Sequence, residues 1–110
     1  MLTLSSRVDV VQRVGHALSE ANRARILLAL TEAPRYPGDL ATDLGLTRSN
    51  VSNHLACLRG CGLVVVVPQG RRMRYELADP ALAGVLSAIV ALDLVASCDG
   101  DCATGACTCR

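Results

Sequence analysis

Along most of the chain the apolar residues recur with helical spacing, and for one short stretch they switch to the alternation of strands. Val10, Val11, Val14, Ala17 and Leu18 stand at i, i+1, i+4, i+7 and i+8, one face of a helix. Ser19 is placed to cap a second helix from about Glu20 to Thr31, with Ile26, Leu27 and Leu30 on its inner side. The segment from Glu32 to Pro37 breaks the pattern. A short helix follows, with Leu40, Ala41 and Leu44 on one side and Gly45 in the C-cap role. Thr47 caps the next helix, which stops at Gly62. Two short helices joined by a glycine-containing turn predict a helix-turn-helix.

Leu63 to Val67 is a β-branched run, Pro68 to Gly70 reads as a turn, and Arg71 to Leu77 alternates. In that alternation Arg72, Arg74 and Glu76 share one face and Met73, Tyr75 and Leu77 the other. The result is a hairpin with a basic tip, a wing. Asp79 and Pro80 open a last helix that is apolar almost all round, which predicts burial on two sides, against its own core and against a partner. The fold class expected is mainly α with a small β-hairpin (α+β), a winged helix-turn-helix that dimerises through its terminal helices. Two regions are expected: residues 1–96 as the DNA-binding and dimerisation domain, and residues 97–110 as a cysteine-rich tail without periodicity.

Composition narrows the chemistry. At 110 residues with no Phe or Trp, the core must be built from Leu, Val, Ala and Ile. The N-terminus lacks the pattern of a signal peptide. The apolar stretch from Ala81 to Ala96 is too short to span a bilayer and contains Gly84, Ser87 and Asp93. A cytoplasmic location is expected, where six cysteines act more often as metal ligands or redox thiols than as a disulfide framework. The net charge is only +1, but it is sorted. Between Leu46 and Tyr75 lie Arg48, Arg59, Arg71, Arg72 and Arg74 with no acidic residue, leaving the rest of the chain at −4. A basic segment of this kind is an electrostatic footprint for phosphate.

On the helix after Thr47, at about 100° per residue, Val51, Leu55 and Leu58 fall within about 40° of the Val51 direction and face the core. Ser49, Ser52, Asn53 and Ala56 then point outward. Asn can bond adenine in a bidentate manner, Ser can reach bases or phosphates, and Arg48 near the helix start suits a phosphate or a guanine. A third stripe carries Asn50, His54, Cys57 and Cys61. Cys57 and Cys61 are an i, i+4 pair whose sulfurs can close on one ion. His54 suits packing or a phosphate contact better than ligation. A single cysteine here would read as a small apolar packing residue. Two stacked cysteines with four more in the tail (Cys98, Cys102, Cys107 and Cys109) read as a site.

The run from Thr47 to Val64, with its S-N-V-S-N-H-L-A-C-L core, resembles the recognition helix of the ArsR/SmtB family of metal-sensing repressors. Its C-x-x-x-C is similar to that of the family's cadmium/lead-sensing subtype. The resemblance implies a homodimer that binds its operator as apoprotein and dissociates on binding metal. It further implies ligands at Cys57, Cys61 and a tail cysteine, best matched by Cys102. The family's other known sites lack their ligands here: the segment from Tyr36 to Thr42 has no cysteine, and the last helix has Asp93 but no histidine.

Thiolates select Cd(II) or Pb(II) as inducer, with Zn(II) or As(III) as the alternative on the same scaffold. Three sulfurs suit trigonal Pb(II) or As(III), and a fourth from Cys98 suits tetrahedral Cd(II) or Zn(II). Cys61 sits at a helix C-terminus, where the dipole opposes a thiolate and Arg59 offsets it in part. Six residues separate Ala96 from Cys102, a reach of about 20 Å at most. The partner expected is double-stranded operator DNA carrying an inverted repeat, with no membrane and no small organic substrate. A thiol–disulfide redox repressor on the same scaffold is the nearest alternative, and a metal-buffering protein a further one. An enzyme is not expected, for lack of any nucleophile–base set or glycine-rich phosphate loop.

Overall fold

The computed structural model describes residues 4–95. Five helices and one hairpin follow in the order α1 (Leu4–Leu18), α2 (Ala21–Glu32), α3 (Pro37–Leu44), α4 (Arg48–Gly60), β1 (Val64–Gln69), β2 (Arg72–Leu77) and α5 (Ala81–Val90). This is a winged helix-turn-helix, as the apolar pattern predicts.

The caps explain most of the boundaries. Thr47 accepts a hydrogen bond from the Asn50 backbone N–H at 3.1 Å and starts α4. Pro37 opens α3 at a position where its missing N–H costs nothing. Gly45 ends α3 in the left-handed region at φ 67°, where a side chain would be strained. One cap differs from expectation. The N-cap of α2 is Glu20, whose carboxylate accepts from the Arg23 N–H at 2.9 Å. Ser19 instead donates its hydroxyl to the His16 carbonyl at 2.7 Å and closes the end of α1. Both residues can cap, and the hydroxyl is consumed by the helix behind it.

The hairpin is antiparallel and its register runs from Val64 opposite Leu77 to Gln69 opposite Arg72. The turn is therefore the two residues Gly70 and Arg71, with Gly70 at φ 64°, and not Pro68 to Gly70. Pro68 lies within β1 opposite Met73. Counting back from the tight turn, that pair is a non-hydrogen-bonded one, so the missing N–H faces outward. Arg35, in the segment read as a plain break, pairs with Tyr75 through two backbone hydrogen bonds of 2.9 and 2.8 Å. That bridge fastens the hairpin to the α2–α3 connection.

The core is wholly aliphatic. Ile26, Leu27 and Leu30 of α2, Leu40 and Ala41 of α3, Val51, Leu55 and Leu58 of α4, and Val64 form one cluster closed by Ala17 and Leu86. Apolar residues of the terminal helices remain outside it. In α5 only Leu86 is buried, while Val85, Ile89 and Val90 are exposed, so one protomer supplies one of the two expected buried sides. Val85 and Ile89, with Val10, Val11, Val14 and Leu18 of α1, border an open apolar groove of about 560 Å³. The helix also stops at Val90, short of Ala96. No described helix is long and apolar enough to cross a membrane.

Candidate functional site

The exposed part of α4 carries the outward residues of the helical wheel and, from the flanking stripe, Asn50. Arg48, Ser49, Asn50, Ser52 and Asn53 are all exposed, and Val51, Leu55 and Leu58 behind them are fully buried. An anchored helix holds short polar side chains at fixed positions, which is what edge-on reading of base pairs requires. Beside this face, Arg48, Ser52 and Arg72 border a hollow of about 310 Å³ together with Tyr36, Pro37 and Met73. Arg71 is exposed at the hairpin turn.

The arginines differ in how freely they can move. The Arg72 guanidinium stacks 3.5 Å over the Tyr36 ring and lies 3.5 Å from the Asp39 carboxylate. It ties the wing to the start of α3. Arg74 is half-buried and pairs with Glu76 on its own strand at 3.6 Å. Arg48 lies across Gly38, where a Cβ would sit 2.6 Å from its Nη2. His54 is half-buried, and its Nε2 lies 3.6 Å from the Glu20 carboxylate. The Glu20 carboxyl is held below its ordinary value, chiefly by the Arg23 backbone N–H; desolvation opposes this, and the Asn22 backbone N–H and the His54 and Arg23 charges add smaller lowering effects.

The second constellation lies at the end of α4. Cys57 and Cys61 carry free thiols, half-buried on the flank that the periodicity assigns to them. Burial pushes the Cys61 thiol up from its ordinary value, and the neighbouring Cys57 raises it further. Arg23 and Arg13 pull it partly back. Those two arginines, from α2 and α1, fill the role expected of Arg59. Sequence spacing could not find them because they arrive from other helices. Nor does any spacing single out His16, whose Nε2 stands 3.8 Å from Cys57 Sγ. The ligand atoms of His16, Cys57 and Cys61 all lie within 4.8 Å of one another. In a tetrahedral set with Zn–N about 2.0 Å and Zn–S about 2.3 Å, neighbouring donors stand about 3.5–3.8 Å apart, and a larger ion widens the spacing. The donors therefore fit a thiophilic cation after small side-chain rotations. Cys98 and Cys102 lie outside the described residues.

A reading helix, a basic wing and an aliphatic helical core define a DNA-binding winged-helix regulator. The chain belongs to the arsR family of bacterial regulatory proteins, whose family model matches residues 20–66. It is 53% identical over 102 residues to the HTH-type transcriptional regulator CmtR of Mycobacterium tuberculosis and Mycobacterium bovis, covering 93% of this chain and 86% of that one. Its fold matches the NMR structure of the cadmium metal-sensor CMTR from Mycobacterium tuberculosis with a TM-score of 0.67 at 55% identity, over 83% of this chain and 95% of the other. It is also similar to the homodimeric winged helix-turn-helix DNA-binding domain of Mb0332 from Mycobacterium bovis, with a TM-score of 0.73 at 30% identity, over 78% and 80% of the two chains. The protein is a transcriptional regulator and not an enzyme.

Proposed function

We propose that the protein is a metal-responsive repressor that binds an inverted-repeat operator as a metal-free homodimer and releases it when Cys57 and Cys61 ligate Cd(II) or Pb(II) as thiolates. The observation that carries this reading is the placement of two free thiols one helical turn apart at the end of α4, the helix that exposes Ser49, Ser52 and Asn53. They stand off the base-reading face, so an ion can be taken up without any side chain leaving the DNA surface. The similarity to a cadmium sensor supports the same reading.

Both thiols must lose a proton to ligate, and the raised Cys61 makes the cation itself the main source of that deprotonation. Cys102, and for a tetrahedral ion Cys98, would complete the site from the tail, residues 97–110, with Zn(II) and As(III) as further ions that suit such a donor set. The exposed apolar groove between α1 and α5 is the surface that a second copy would cover. A tail bonded to α4, whether its own or the partner's, restrains the two reading helices from the roughly 34 Å spacing of successive major grooves. A hundredfold loss of operator affinity needs about 2.7 kcal/mol of coupling, within the ordinary allosteric range. The test is titration of the protein–operator complex with Cd(II) and Pb(II) under strict reducing conditions, which separates metal from disulfide chemistry.

A further inference from the structure

The two thiols of α4 do not exhaust the donors around this site. We propose that His16 of α1 is a metal ligand, and that its Nε2 joins the sulfurs of Cys57 and Cys61 in a three-donor face for a borderline-to-soft divalent cation within one protomer. The proposal rests on the reading of Cys57 and Cys61 as ligand thiols and adds to it a nitrogen donor from a different helix.

Three observations carry it. First, the 3.8 Å between His16 Nε2 and Cys57 Sγ is close to the donor–donor spacing of a tetrahedral site, and Cys61 completes the triangle within 4.8 Å. Second, the position of His16 is fixed by the backbone. Its carbonyl accepts from the Ser19 hydroxyl at 2.7 Å, the Arg23 guanidinium at 2.9 Å and the Ser19 N–H at 3.3 Å. The adjacent Ala17 is fully buried and accepts from Arg23 Nε at 3.0 Å. One turn earlier Arg13 reaches the Cys61 carbonyl at 3.4 Å, so α1 and the end of α4 are held in register at two points. Third, the ring is exposed, so its nitrogen lone pair can be offered without desolvating a buried group.

The nitrogen changes selectivity and the route of the signal. An imidazole beside thiolates suits Zn(II) and Cd(II), whereas Pb(II) is satisfied by sulfur alone. Ligation by His16 also locks the end of α1 to the recognition helix. Because α1 borders the apolar groove with Val10, Val11 and Val14, the ion is then felt at that groove through the helix itself.

The test uses the full chain labelled with ¹⁵N-histidine and loaded with ¹¹³Cd under reducing conditions. With two histidines in the sequence, the ring signals are assigned by His16→Gln alone. The expected result is ¹¹³Cd splitting on a His16 ring nitrogen and none on His54. His16→Gln should weaken Cd(II) at least tenfold, leave the thiolate-to-Cd(II) absorbance in place, and change Pb(II) affinity much less. Unsplit His16 with the thiolate absorbance present, together with Cd(II) affinity in His16→Gln equal to the parent, overturns the proposal. Absence of thiolate absorbance in the parent protein would instead overturn the ligand role of the two cysteines, and this inference with it.

Discussion

The guanidinium of Arg72, at the tip of the wing, stacks 3.5 Å over the ring of Tyr36 and faces Asp39 from 3.5 Å. The contact joins the hairpin to the start of the helix-turn-helix. An exposed cation–π pair contributes about 0.5–1 kcal/mol, enough to bias the wing toward one position without freezing it. The stack fastens the wing, and the proposed DNA interface adds a second, separable role as a charge near phosphate.

Those roles predict different signatures. Arg72→Ala should weaken binding to every duplex alike and reduce the slope of log affinity against log salt by about one. Tyr36→Leu keeps the charge and removes the stack. It should weaken operator binding a few-fold with the salt slope unchanged. Fluorescence anisotropy across a salt series reads both quantities. Equal slopes for the two variants would place Arg72 in the fastening role alone.

Gly38→Ala tests the position of Arg48. A Cβ at residue 38 would stand 2.6 Å from Arg48 Nη2, the far end of a flexible side chain, so the arginine moves rather than the backbone. Melting temperature should change little while operator affinity falls. Asn53→Ala, on the exposed face, should instead relax sequence preference by about 1–3 kcal/mol at one base pair, measured by competition with single-base operator variants.

Much of this arrangement is legible in the amino-acid sequence alone. The 100° spacing of Val51, Leu55 and Leu58 orients α4 correctly, and the arrangement of exposed Ser49, Ser52 and Asn53 and half-buried Cys57 and Cys61 follows from that one choice. Periodicity reports a face and not a neighbour, and the misses share that cause. His16 precedes Cys57 by 41 residues and meets it only because the end of α1 comes close to the end of α4. A one-residue bridge such as Arg35 to Tyr75 has no repeat to detect. By residue type Ser19 is the better cap, but its hydroxyl is bonded to the end of the preceding helix, and Glu20 caps α2 instead.

Glu20 carries a pH dependence with a definite sign. Its carboxyl lies below the ordinary 4.5 in the fold, first because the Arg23 N–H donates to it. A lowered folded value means stability present above the ordinary value and lost as pH falls through the folded one. Glu20→Gln should therefore melt below the parent at neutral pH, with the gap closing as the solution is acidified beneath the carboxylate range. Thermal melts at pH 7 and at low pH measure it, and a gap that widens in acid contradicts the assignment.

The apolar groove between α1 and α5 predicts an oligomeric state. Val85 is 48% exposed and borders that groove. Val85→Asp should leave the helical content intact, because the residue lies outside the core cluster, and shift the protein from dimer to monomer in sedimentation equilibrium. Operator affinity should fall with it, since each half-site is then bound alone.

In the proposed switch, thiols at the end of the reading helix convert metal binding into release of DNA. The most direct measurement is operator affinity of the parent, Cys57→Ser and Cys61→Ser proteins, each without metal and at saturating Cd(II), with reductant present throughout. Equal metal-free affinities are expected for all three, with a loss of roughly a hundredfold on adding Cd(II) to the parent, and little or no loss in either variant. Release by Cd(II) that persists in both variants, or metal-free variants that no longer bind the operator, would contradict the switch.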